Sequence, residues 1–204
     1  VCTCSPAINL TTDPSCAGIC DGSATVTMTS GTPPFTYNWS HSGGVGTTAN
    51  GLCADTVYSL TVIDGNSDTC VTSVQLVSPP PLSVGIVSHS DPSCMGLADG
   101  MASVMATGGT GAYTYSWSPS GGYNQVAMGL PGDITYTATV WDANGCVNSD
   151  TITLSNPPSV VANITSFSNP LCNTSTGIAS VSAIGGTQPY SYTWFPAGGN
   201  NATG

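Results

Sequence analysis

Lysine, arginine and glutamate are absent from this chain of 204 residues, and its ten acidic side chains are all aspartate. Charged residues make up 5% of the sequence, against about 25% in an ordinary soluble domain. These absences exclude whole classes of function. Nucleic-acid binding rests on Lys and Arg neutralising phosphates, so no nucleic-acid partner is expected. A net charge of −10 is repelled by an anionic membrane surface. Phosphate clamps, arginine fingers and lysine Schiff bases are unavailable to it. No run of about 20 apolar residues occurs, so direct membrane insertion is not expected either. Stability has to come from apolar burial, backbone hydrogen bonds and disulfides.

Catalytic patterns are missing as well. His41 and His89 are isolated, and no G-x-S-x-G elbow is present. No pair of aspartates stands out for acid–base work. The cysteines are not grouped as zinc ligands. The expectation is a protein that is not an enzyme and needs no cofactor.

What is present is a repeat. DPSC occurs at Asp13–Cys16 and at Asp91–Cys94, and NPLC at Asn169–Cys172, a period of about 78 residues. Each copy continues through a turn into an alternating run: SATVTMT at 23–29, MASVMAT at 101–107 and IASVSAI at 178–184. The segments FTYNW, YTYSW and YSYTW follow at 35–39, 113–117 and 190–194. Then come YSLTVID at 58–64 and YTATVWD at 136–142, each leading to a cysteine, Cys70 or Cys146. Period-two alternation marks half-buried strands. Many short strands with frequent turn signals predict an all-β, antiparallel sandwich.

Proline sets the boundaries. Pro79-Pro80-Pro81 and Pro157-Pro158 have fixed φ and cannot donate to a sheet. Domains are expected at 6–80, 81–158 and 159–204, with residues 1–5 the tail of a preceding repeat. Short proline joints are stiff, which predicts a rod-like array. The third copy stops after the segment of Trp194. The expectation is that the chain continues past Gly204 or that another chain completes the repeat.

Nine cysteines fit an oxidising compartment. The recurring pair predicts Cys16–Cys70 and Cys94–Cys146 disulfides. Each would close a loop of about 50 residues, stabilising by roughly 4 kcal/mol in the chain-entropy model. Cys20 and Cys53 are replaced together in the second repeat, by Ala98 and Pro131, which favours a Cys20–Cys53 bond among three connectivities. Cys2 and Cys4 are expected to find partners upstream.

These motifs resemble the SprB repeat of surface adhesins in gliding Bacteroidetes. The matching residues are the PSC start, the Asp-Gly turn, the alternating strand, Y-x-Y-x-W and Y-x-x-x-V-x-D-x-N-G-C. The resemblance implies tandem Ig-like sandwiches, export by the type IX system, display at the cell surface and adhesion with a part in gliding. Implied partners are neighbouring repeats of the same or identical chains and surface polysaccharide. A polymerised extracellular fibre and a carbohydrate-binding appendage of a secreted enzyme are the alternatives.

Candidate sites have structural readings beside them. The ladder Tyr113, Tyr115, Trp117 could stack on sugars, but one-faced spacing reads better as core. Core aromatics are expected at Trp39, Trp117, Trp194, Tyr58 and Tyr136, the two tyrosines as corner residues. Asp64, Asn66 and Asp68 resemble the start of a calcium loop, for which a hairpin turn is the stronger reading. Thr56 and Thr151 lie in Asp-Thr-aliphatic triplets that resemble Bacteroidetes O-glycosylation sites.

Overall fold

The structure, a computed structural model, describes residues 4–41, 44–170, 172 and 177–195; Cys2 lies outside them. Fourteen strands and no helix occur among the described residues. The first repeat holds β1 (Ser5–Thr12), β2 (Gly22–Ser30), β3 (Thr36–Trp39), β4 (Thr48–Leu52), β5 (Val57–Ile63) and β6 (Thr69–Gln75). They form two three-stranded sheets, β1-β2-β4 and β3-β5-β6, with antiparallel pairing throughout. This is a small Ig-like sandwich.

Alternation builds its core. Ala24 and Val26 face inward from β2, and Tyr58, Leu60 and Val62 from β5. They pack with Trp39, Ala49, Leu52 and Leu76. Burying a side chain such as Leu60 contributes about 1.5–3 kcal/mol, so the two facing sheets have a sufficient driving force without any ion pair.

The second repeat repeats the order with β7 (Ser83–Ser90), β8 (Gly100–Thr107), β9 (Thr114–Ser118), β10 (Val126–Leu130), β11 (Ile134–Trp141) and β12 (Val147–Leu154). Its sheets are β10-β8-β7 and β12-β11-β9. Ala102, Val104, Trp117, Leu130, Tyr136 and Leu154 are buried. The third repeat contributes β13 (Val161–Ser168) and β14 (Ile178–Ile184), paired with each other.

Trp194 departs from the expectation of a buried core residue: it is half-buried. Its counterpart Trp39 is packed in a core cluster that draws on both sheets, from Ala24, Val26, Ala49 and Leu52 to Leu60 and Val62. Around Trp194 the described residues supply Ile164, Val181 and Tyr192 beside an open cleft.

Two compact units emerge. One holds residues 1–85, 106–115 and 139–149, the other residues 86–105, 116–138 and 150–204. The units therefore do not follow the repeat. One end of the second repeat belongs with the first, in the unit where Cys16 is bonded to Cys146.

Candidate functional site: the junction between repeats

The DPSC motif is a clamp that presents its cysteine. Asp13 Oδ1 accepts the Val77 N–H at 2.9 Å, tying the motif to the end of its own repeat. Asp21 accepts both the N–H of Ser15 at 2.8 Å and its hydroxyl at 2.5 Å. The Ser15 hydroxyl and then its N–H hold the Asp21 carboxyl below its ordinary range. Asp91, Ser93 and Asp99 repeat the arrangement, with Asp91 accepting the Ser155 N–H. Asp99 is lowered in the same way by Ser93.

The turn after β11 is the other half. Asp142 is buried. Its Oδ1 accepts the N–H groups of Asn144 and Cys146, each at 2.9 Å, and its Oδ2 accepts the Thr110 N–H at 2.7 Å. Burial is the largest single influence and raises its carboxyl, but the N–H donors of Thr110, Cys146, Asn144 and Gly145 together outweigh it and the result is a lowered pKa. Backbone donors favour the ionised form of a carboxylate.

These halves meet within the first compact unit. Cys16 is bonded to Cys146, with a Cα–Cα distance of 5.7 Å. Asn144 Nδ2 donates to the Ser15 carbonyl at 3.0 Å. The proline joint is held alongside: the Pro80 carbonyl accepts the Gly109 N–H at 2.8 Å, and the Leu82 carbonyl accepts from Asn148 Nδ2 at 2.9 Å. Gly108 lies at φ +72, and a Cβ there would stand 2.1 Å from the Pro81 carbonyl oxygen. Only glycine fits so close an approach. An open cleft of about 380 Å³ runs beside the disulfide, lined by Cys16, Ala17, Ile19, Pro81, Leu82 and Val147 among others.

Two of the expected disulfides are thereby corrected. Cys70 is joined to Cys4, not to Cys16, and Cys146 is joined to Cys16, not to Cys94. Cys94 and Cys172 are exposed thiols. The reason is strand length. Cys16 precedes β2, at the end where Gly22 pairs with Leu52. Cys70 pairs with Val62 at the far end of β5. Seven residues of strand span roughly 20 Å, whereas a disulfide needs Cα atoms within about 7 Å. Cys4 sits at the right end, one residue before the Ser5–Ser30 pairing, so its partner lies inside the repeat and not upstream. Cys20 and Cys53 are joined to each other.

Other singled-out residues serve the fold. Tyr58 Oη accepts the Cys53 N–H at 2.8 Å. Tyr136 Oη donates to the Pro131 carbonyl at 2.9 Å. The hydroxyl reverses its role because proline, at the position of Cys53, has no N–H to offer. Trp39 and Trp117 donate Nε1–H to the carbonyls of Gly46 and Asn124. Tyr113 donates to the Gly108 carbonyl at 2.6 Å, and Tyr115 is half-buried. The aromatic ladder is therefore turned inward.

Among the calcium candidates, Asp64 is buried and its carboxylate already accepts the N–H groups of Thr32, Asn66 and Asp68. The Thr32 donor, the largest influence, helps to lower its pKa. Asn66 Nδ2 donates to Thr32 Oγ1. Among the described residues no group of three or more His, Cys or Asp side chains is placed to hold a metal. Thr151 is exposed on β12, while Thr56 is half-buried with its hydroxyl 3.4 Å from the Ala54 carbonyl.

Sequence reasoning missed Cys4, Asn144 and the Ser15–Asp21 clamp. The clamp had a signal, since a Ser and an Asp six residues apart recur in both complete repeats. The choice of Cys4 had none.

Fold and junction define a class: tandem Ig-like β-sandwich repeats tied by disulfides, one of them between repeats. The sequence profile of the SprB repeat matches residues 9–44, 87–122 and 164–199, together more than half of the chain. The chain belongs to the SprB repeat family, whose repeats are found in cell-surface proteins. No curated protein matches it in sequence. Among solved structures it is similar to the three N-terminal domains of the bacteriophage RB49 highly immunogenic outer capsid protein Hoc. The identity is 15% and the TM-score 0.50, over 89% of this chain and 69% of that one. A C-terminal fragment of intimin, solved with the intimin-binding domain of its translocated receptor, is similar at 15% identity and TM-score 0.37, over 77% of this chain and 67% of that one. At these identities the likeness concerns the fold alone. No helix among the described residues is long and apolar enough to cross a membrane.

Proposed function

We propose that this chain is the structural and adhesive repeat region of a bacterial cell-surface protein, serving as a stalk that holds a binding surface away from the cell. The observation that carries this reading is the Cys16–Cys146 bond between successive SprB repeats. A tie between repeats is of use where repeats must keep a fixed relation to one another. Export by the type IX system and a part in gliding belong to the same reading, as does decoration of exposed Thr151 by O-linked glycan. The test is deletion of the repeats from the full gene. Cells should retain secretion of the remaining protein and lose attachment or gliding on surfaces. Unchanged attachment and gliding would refute the proposal.

A second reading, a subunit of a polymerised fibre, is favoured by the apolar side chains exposed on β13 and β14. Phe167 is 74% exposed and Ile164 58%. Regular filaments of the purified protein in electron micrographs would support this reading over the first.

A further inference from the structure

The second repeat carries the same clamp as the first, and its cysteine is an exposed thiol. Asp99 holds Ser93 as Asp21 holds Ser15, and Asp91 accepts the Ser155 N–H as Asp13 accepts that of Val77. Cys94 is thus presented as Cys16 is. The proline joint and the glycine turn beside it are also repeated. Within the second compact unit, the Pro158 carbonyl accepts the Gly186 N–H at 2.6 Å, as Pro80 accepts from Gly109. Gly185, at φ +76, lies where a Cβ would stand 2.1 Å from the Ser159 carbonyl oxygen, as Gly108 lies against Pro81. Thr187 Oγ1 donates to the Ser93 carbonyl at 3.4 Å, the counterpart of the Ser15 carbonyl that receives Asn144. A cleft of about 370 Å³ lined by Cys94, Met95, Pro158, Ser159, Val160 and Gly186 among others matches the one beside Cys16.

From this repetition we infer that Cys94 is half of a second repeat-to-repeat disulfide, its partner a turn cysteine of another repeat, placed against Cys94 as Cys146 is placed against Cys16. The inference stands on the occupied junction at Cys16, where the same surface receives that turn cysteine, and it does not depend on what the protein binds. It excludes Cys172 as the partner, because Cys172 is the counterpart of Cys94 itself and belongs to the next junction. Formation of the Sγ–Sγ bond removes one hydrogen from each thiol. The two electrons and two protons pass to a donor disulfide, protein-borne or small, which is reduced to two thiols. Such donors operate in oxidising compartments.

Full-length protein from its native source, alkylated without reduction and cleaved before aspartate, tests the assignment. Cleavage there isolates residues 91–98, with Cys94 as their one cysteine, and residues 142–149, with Cys146 as theirs. The expected result is fragment 91–98 linked to a fragment that carries another repeat's turn cysteine, with the intact protein running as one chain before reduction. Recovery of fragment 91–98 as an alkylated thiol would overturn the inference. So would a link to Cys172, or to a second polypeptide. The set of three fragments 13–20, 21–54 and 142–149, held together by Cys16–Cys146 and Cys20–Cys53 and recovered from the same digest, shows that native disulfides survived handling.

Discussion

Cys16 and Cys146 are joined across a sequence separation of 130 residues, so the bond belongs to the array and not to either repeat. Replacing Cys146→Ser removes the largest loop closure among the described disulfides. The chain-entropy model assigns such a loop about 4–5 kcal/mol. Denaturation in urea without reductant should show that loss as a lower midpoint for the first compact unit. An unchanged midpoint would mean that the junction adds no stability.

The close approach at Gly108 predicts an asymmetry between two glycines. Both Gly108 and Gly122 have positive φ, but a Cβ on Gly122 meets nothing within 4 Å. Gly122→Ala should cost only the left-handed backbone term, about 1–2 kcal/mol. Gly108→Ala should cost clearly more, because the Pro81 carbonyl has to move. Thermal melts of the two variants check this, and equal costs would contradict the geometry.

The two tyrosine corners differ in the group that loses its partner. Tyr136→Phe leaves the Pro131 carbonyl without its donor, a loss of about 1 kcal/mol. Tyr58→Phe leaves the Cys53 N–H without its acceptor. An orphaned N–H is rarer in native proteins than an under-satisfied carbonyl, so Tyr58→Phe should be the more destabilising. Chemical denaturation of both variants measures the order.

Acid should loosen the turns at Asp64 and Asp142. Both carboxyls lie below their ordinary value of 3.8 in the folded protein. A depressed folded pKa contributes stability that is present above the unfolded value and is lost as pH falls through the folded one. Stability should therefore fall below about pH 3.8. Asp64→Asn and Asp142→Asn should be less stable at neutral pH and flatter across that acid window. Denaturation midpoints between neutral and strongly acid pH provide the comparison.

The strands, the inward faces and the tyrosine corners were legible because each depends on neighbours in sequence. Alternation at Ala24 and Val26, or at Tyr58, Leu60 and Val62, states which face is buried before any partner is known. The disulfide partners were not legible for a physical reason. In a periodic chain, Cys146 stands at a repeated distance from Cys94 and, one period further, from Cys16, and spacing alone cannot separate the two. The decision lies in which end of the sandwich each cysteine occupies, which is a property of strand length and register. Trp194 was misplaced by a related error: equivalence in sequence predicts burial only where the covering strands are also equivalent.

The two long bridges interlock, since Cys4–Cys70 and Cys16–Cys146 overlap along the chain. Under a pulling force, the shortest covalent route from Cys4 to Cys146 runs along β1 to Cys16 and then through one sulfur–sulfur bond. Load applied across this region falls on that short tether, which can pay out at most about 3.5 Å per residue. The remaining residues between Cys16 and Cys146 carry no tension and cannot be drawn out while the bridges hold. Between Cys4 and Cys146 the limit on extension is set by sulfur, whatever the strength of the β-sheets behind it.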